Sequence, residues 1–286
     1  MKNVLIAGAT GYLGKYLVKE AKKQGYWVRA LARNTKKLDD LKNNIDEVFE
    51  GEVTKPESLT GICDNIDVVI SSIGITRQKD GLTYMDVDYQ GNKNLLDLAN
   101  ANKVSKFIFI SVLNAHLMKD LKGIQAKLLF EKDLIKSGLD YVIMRPTGFF
   151  SDMLEFLNMA KKGRVSVFGS GENRINPIHG ADLAEVCVNA IRDSKKEINV
   201  GGPEIFTFNQ IAELALKAQN KPIKISRLPM CAIKIIIPLL RTFTPVKIYG
   251  PIEFMMTVMT MDVVGERYGI ERLENFYLEN SKNTNK

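Results

Sequence analysis

Three glycines, Gly8, Gly11 and Gly14, stand between an apolar run and a helical pattern. The run is Val4-Leu5-Ile6-Ala7, and the pattern is Leu13, Leu17 and Ala21. Glycine permits a tight turn and lets backbone come close to a ligand. A helix that opens straight after such a turn offers free N–H groups and a partial positive charge. Strand, glycine turn and helix in this order are the setting of a phosphate-binding loop. They commit the chain to open with a βαβ unit.

The pattern continues in kind. Val28–Ala32, Val48-Phe49, Val68–Ile70, Phe107–Ile110 and Tyr141–Met144 are short apolar runs that read as strands. Between them lie a short helix opened by Pro56, a helix over Tyr89–Ala101 and another marked by Ile124, Leu128 and Ile135. Strands apolar throughout belong in a parallel sheet covered on both faces. The expected class is therefore α/β: a Rossmann-type, doubly wound parallel sheet with helices on both faces. Residues 1–150 are expected to form this domain, with 179–200 returning to it. Residues 151–178 and 201–286 are expected to form a smaller, mostly helical substrate lobe. Helices are expected there over Asp152–Lys162, Ala181–Arg192 and Thr207–Ala218, with Thr207 as an N-cap and a frayed tail after Leu278.

Composition closes off other classes. The chain has 286 residues, 45% apolar and 26% charged, enough for a core without staples. Cys63, Cys187 and Cys231 are odd in number and far apart, and there are two histidines, so neither a disulfide framework nor a zinc site is expected. A reducing, cytoplasmic setting fits these thiols. The net charge of +7 is spread along the chain, which suits a cofactor rich in phosphate and not a nucleic acid. The longest apolar stretch, Leu228–Leu240, is interrupted by Lys234 and Pro238 and is too short to cross a membrane. Peripheral membrane contact and oligomeric state stay open.

The spacing Gly8-x-x-Gly11-x-x-Gly14 resembles the short-chain dehydrogenase/reductase superfamily. The resemblance covers nearly the whole chain. It is greatest to the atypical branch that holds NmrA-like proteins, a complex I subunit and divinyl chlorophyllide reductases. It implies a nicotinamide cofactor gripped by Gly8, Thr10, Gly11, Tyr12, Leu13 and Gly14. Glu52-Val53 stands where the family has Asp-Val beside the adenine. Ser71-Ser72-Ile73 stands along the cofactor's ribose side. Pro146-Thr147-Gly148-Phe149 resembles the segment that runs beside the nicotinamide.

The residue after the second strand chooses between cofactors. An acid there binds the ribose 2′-hydroxyl and repels a 2′-phosphate. Here the strand ends in Arg33-Asn34, with Lys36 and Lys37 close behind. A guanidinium takes a phosphate in a charge-assisted pair. The expected cofactor is NADP(H), with Arg33 on the 2′-phosphate.

The catalytic pattern departs from the family. By resemblance, Ser111 and Lys127 match the catalytic serine and lysine. The tyrosine four residues before the lysine is replaced by Gly123. Hydride transfer survives this loss, because the nicotinamide supplies the hydride. The proton needs another source, and His116 and Tyr84 are candidates by location. Lys127 is expected to hold the nicotinamide ribose or to pair with Glu131 at i,i+4. Arg145 reads equally as a buried structural arginine or a substrate ligand. His179 reads as structural and Asp182 as a helix-start residue. The methionine-rich segment after Leu228 suits either an adaptable pocket for a small apolar molecule or plain helix packing.

Three functions follow. The first is an NADPH-dependent reductase acting on an apolar conjugated C=C or C=O. The second is an NADP(H)-binding redox sensor of NmrA type. The third is an assembly or scaffold factor at a membrane complex.

Overall fold

The computed structural model describes residues 1–75 and 81–282. Its principal sheet has eight strands in the order β12-β9-β6-β5-β4-β1-β2-β3. These are β1 (Asn3–Ala7), β2 (Trp27–Ala32), β3 (Glu47–Glu50), β4 (Val68–Ser71), β5 (Lys106–Ile110), β6 (Asp140–Pro146), β9 (Glu197–Gly201) and β12 (Glu266–Arg267). The pairing is parallel, with Val4 beside Val28 on one side and beside Val68 on the other. The chain divides into two compact units, 1–145 with 183–198, and 146–182 with 199–286. The expected boundaries were 150 for the first crossing and 179–200 for the return.

In the first unit both faces of the sheet are covered, as the apolar strands require. Alternate residues Leu5, Val69, Phe107, Phe109 and Ile143 face one cluster with Leu95, Leu96 and Ala99 of α2 (Asn92–Ala101). Phe130 and Leu134 of α3 (Lys122–Lys136) join it, and Phe130 meets Phe109 edge-on at 4.6 Å. Burying one such ring contributes about 2 kcal/mol from area alone. The helix α1 (Tyr12–Lys23) packs on β1 and β2 through its buried Leu13, Leu17 and Val18. Three helical segments escaped the sequence pattern, the shortest being the 3-10 turn Ala115–Met118. Thr35–Asn44 is 3-10, capped by the Asn34 side chain on the Lys36 N–H. Met85–Gly91 is a wide π turn that leads into α2, so the helix begins before the expected Tyr89.

The second unit holds α4 (Phe150–Lys161), α6 (Phe208–Ala218) and α9 (Leu273–Lys282), which pack on one another. Phe156 stacks on Phe208, and the buried Tyr277 hydroxyl donates to the Met153 carbonyl at 2.9 Å. Thr207 caps α6 as expected, in a reciprocal box with Gln210. Two small sheets complete the unit. One is β7 (Val165–Phe168) with β11 (Ile225–Leu228), the other β8 (Arg174–Ile175) with β10 (Phe206–Thr207). The tail does not fray at Leu278, because α9 runs to Lys282. The helix α5 runs over Gly180–Asn189.

The apolar stretch after Leu228 forms α7 (Met230–Phe243) and α8 (Val246–Val258). Pro238 lies inside α7 without ending it. Met256 and Met259 are buried, which is helix packing. Ile235, Leu239 and Phe243 recur every four residues on α7 and are exposed, as are Ile248 and Ile252 on α8. Among the described residues no helix is long and apolar enough to cross a membrane.

Candidate coenzyme cleft

A cleft of about 300 Å³ opens in the first unit at the carboxyl ends of β1 to β4. That is where ligands bind in open parallel sheets, beside the strand at which the order reverses. Each strand end brings one wall: Gly8, Thr10 and Gly11 after β1, Arg33 after β2, Gly51 to Thr54 after β3, and Ser72 to Ile75 after β4. Leu82 and Val87 come from the segment before α2.

The glycines are needed for packing as well as for approach. Gly8 has φ +88°, and a Cβ there would lie 2.7 Å from Ser72 Oγ. A Cβ on Gly14 would lie 2.0 Å from the Gly8 carbonyl oxygen, so α1 starts this close to the turn only with glycine. Gly11 is the N-cap of α1, no side chain caps it, and no acid stands in the first turn. The helix therefore meets the cleft with its N–H groups and partial positive charge available to an anion. A pyrophosphate fits this wall.

Tyr12, Leu13 and Gly14 belong to that first turn, yet none lines the cleft. Leu13 is buried in the core and the Tyr12 ring packs edge-on against Tyr16 at 5.5 Å. Ser71 and Ser72 also part company. Ser72 lines the cleft and its hydroxyl donates to the Ala7 carbonyl at 3.1 Å. Ser71 is fully buried and its hydroxyl donates to Asn92. The Ser71 hydroxyl thus ties β4 to α2 rather than facing the cleft.

Arg33 stands at the cleft wall with its side chain 59% exposed and its guanidinium 3.7 Å from Glu52. The Lys55 ammonium, 2.8 Å from Glu52, holds that carboxyl below its usual range, helped by Thr54 and Arg33. Two cations therefore flank one acid at the end where the family places the adenosine.

Deeper in, Lys127 of α3 leads to a pair the sequence did not suggest. Its ammonium lies 3.2 Å from Asp88 Oδ1, and the i,i+4 pair with Glu131 is not what it forms. Asp88 is buried and also accepts the Ile75 N–H at 3.0 Å. Burial pushes its carboxyl up, and Lys127 and the Ile75 N–H pull it partly back. Gly74 makes this possible, since a Cβ there would lie 2.9 Å from Asp88 and 3.0 Å from the Lys127 ammonium. Lys127 so lies directly behind Gly74, which lines the cleft. No spacing in the sequence announces Asp88 as the partner of Lys127, because the pair is made between segments far apart in the chain.

Glu131 has other partners. Ser111 donates its hydroxyl to Glu131, and Arg145 bridges Glu131 at 2.8 Å and Glu197 at 2.5 Å. Ser111 and Arg145 thereby join one chain of bonds through Glu131. His116 is exposed on the turn after β5.

The remaining expected cofactor residues belong to the second unit. Thr147 is buried and its hydroxyl donates to the Asn176 carbonyl at 2.6 Å. Pro146 ends β6, Gly148 accepts the Ile178 N–H at 2.8 Å, and the Phe149 N–H donates to Asp152 at 3.1 Å. His179 lies between Phe150 and Phe276, and its Nδ1 accepts the Ala181 N–H at 3.3 Å. Asp182 accepts the N–H groups of Ile270 and Glu271 from the tail, a tie beyond its expected helix-start role.

Fold and cleft together define a dinucleotide-binding protein of the doubly wound α/β class. The family described as NAD(P)H-binding matches residues 8–194, more than half of the chain. The chain belongs to this family, in its atypical short-chain dehydrogenase/reductase branch of NAD(P)-binding oxidoreductases. It is 31% identical over 245 residues to the photosystem II assembly factor Ycf39 of Synechocystis, covering 84% of this chain and 74% of that one. It is 29% identical over 254 residues to the divinyl chlorophyllide a 8-vinyl-reductase of Arabidopsis thaliana, covering 80% of this chain and 60% of that one. Among solved structures it is similar to an Escherichia coli NADPH-dependent quinone oxidoreductase complexed with NADPH. That TM-score is 0.70 at 17% identity, over 99% of this chain and 100% of that one, a likeness of fold.

Proposed function

We propose that the protein is an NADP(H)-dependent reductase that delivers hydride to an apolar, conjugated C=C or C=O. The observation that carries this reading is the cleft itself. An uncapped helix N-terminus meets a glycine turn at one end, Arg33 stands at the wall after β2, and Lys127, paired with Asp88, lies directly behind the lining residue Gly74. Gly8, Gly11 and the first turn of α1 would hold the pyrophosphate. Arg33 would pair with the ribose 2′-phosphate, with Glu52 holding the guanidinium in place. Lys127, fixed by Asp88, would hold the nicotinamide ribose. When bound, the reduced nicotinamide supplies the hydride. The protein positions it and excludes water. A panel of quinones, enones and tetrapyrroles, followed by loss of the reduced nicotinamide absorbance, tests the reading. Tight NADPH binding with no oxidation by any of them would sink it.

A second reading rests on a different observation. The exposed row Ile235, Leu239 and Phe243 on α7, continued by Ile248 and Ile252 on α8, is an apolar face that a reductase does not need. One relative is named an assembly factor. In this reading the cleft binds NADP(H) as a sensor or as a folding ligand, and the apolar face docks on a partner or a membrane surface. Co-sedimentation with anionic vesicles at low salt, lost in Leu239→Glu, would favour it. A protein that stays in the supernatant and turns over substrate would exclude it.

A further inference from the structure

Gly123 stands where the family has its catalytic tyrosine, and the space beside it is filled. A Cβ built on Gly123 would lie 3.3 Å from both Cδ1 and Cε1 of the Tyr84 ring. The ring therefore lies against the glycine, in the volume that a side chain on α3 would enter. One turn further along α3, Lys127 meets Asp88 at 3.2 Å. Tyr84 and Asp88 are four residues apart, as Gly123 and Lys127 are, so two i,i+4 pairs run side by side. Tyr84 is half-buried; it does not itself line the cleft, but Leu82 and Val87 on either side of it in sequence do.

We infer that Tyr84 supplies the phenol that α3 lacks, and that it is the proton donor of the proposed reduction. The inference rests on the reductase reading above. The carbonyl carbon accepts hydride from the reduced nicotinamide, and the π electrons of C=O move to oxygen. That oxygen takes the proton from Tyr84 Oη, so one C–H and one O–H bond form as the π bond and the phenol O–H bond break. The phenolate regains a proton from water, and the nicotinamide leaves oxidised. Lys127, held by Asp88, keeps a positive charge in this corner that favours the phenolate. Tyr84 is the N-cap of the π turn Met85–Gly91, which packs against α3.

The test uses the full chain, NADPH and phenanthrenequinone. Tyr84→Phe is expected to keep its NADPH affinity within about twofold and to lose about a hundredfold in kcat, the usual worth of a general acid. Moving the phenol back, in Tyr84→Ala with Gly123→Tyr, is expected to recover most of that loss, because removing the ring frees the space the new side chain needs. A readout independent of turnover is the Cζ resonance of carbon-13-labelled tyrosine. The signal missing in Tyr84→Phe should shift when NADP⁺ is added to the wild type. The inference is overturned if Tyr84→Phe keeps kcat within twofold, or if that resonance stays still while calorimetry shows NADP⁺ bound. If NADP⁺ does not bind at all, the reductase reading falls and takes this one with it.

Discussion

The cleft of the first unit and the bonds around Asn176 in the second are both built where strand ends carry glycine. They differ in what fills the space. At the cleft, Gly8, Gly11 and Gly74 leave an open wall of backbone. At Asn176 the space is taken by protein. Its amide donates to the carbonyls of Gly202 and Gly265 and accepts the Gly265 N–H at 2.9 Å. A Cβ on Gly201 would fall 2.1 Å from that amide nitrogen. The first set packs tightly and also leaves an open cleft, whereas the second is closed over by the fold.

Two substitutions should separate these roles. Asn176→Ala orphans two carbonyls and one N–H in a buried setting, each costing about 1–3 kcal/mol if no water replaces the amide. The expected loss is about 3 kcal/mol in urea unfolding, with NADPH affinity of the folded protein unchanged. Gly14→Ala drives a methyl into the Gly8 carbonyl and displaces the phosphate turn. It should weaken NADPH about a hundredfold, or about 2.7 kcal/mol. Stability should fall too, by about 1–3 kcal/mol, since the methyl meets backbone that must shift to admit it. Equal effects of the two variants on both measurements would erase the distinction.

Within the cleft, Arg33→Ala separates the two nicotinamide coenzymes. Losing a charge-assisted phosphate contact costs about 1.5–2 kcal/mol, so NADPH affinity should fall roughly ten- to thirtyfold. NADH affinity should hold or improve slightly, because Glu52 is then left without the guanidinium beside it. Parallel calorimetric titrations decide the matter. A matching loss for NADH would mean that Arg33 shapes the cleft without reading the phosphate.

The first unit was legible for a physical reason. Its strands are buried on both faces, so they appear as unbroken apolar runs, and the glycine turn follows the first one immediately. What the sequence hid were contacts made across the chain. Asp88 finds Lys127 and Tyr84 covers Gly123 through a π turn, which has no apolar period to announce it. Ser71 and Ser72 look alike in sequence, and only the strand's alternation sends one hydroxyl inward and the other to the cleft. In the second unit, Thr147 sits in a segment that resembles a nicotinamide site and Asp182 reads as a helix start, yet both bond to residues distant in the chain. Spacing along one segment carries no record of such partners.

The smallest effect sharpens the comparison from the second unit. Asp152 stands in the first turn of α4 and accepts the Phe149 N–H, a position where helix N-termini favour an ionised acid. Burial outweighs this and pushes its carboxyl from 3.8 up to about 6, with Glu155 adding to the rise. The folded state thus holds the proton more tightly than the unfolded chain. Stability is complete below about pH 4 and falls as pH rises toward and through about 6. The side chain is partly exposed, so solvent screening trims the loss to about 1 kcal/mol. Asp152→Asn keeps an acceptor for the Phe149 N–H and cannot ionise. It should match the wild type at acid pH and exceed it by about that amount well above pH 6. A difference that stays flat across the range would show that Asp152 is charged in the fold, and that α4 starts on its helix dipole rather than on a buried neutral acid.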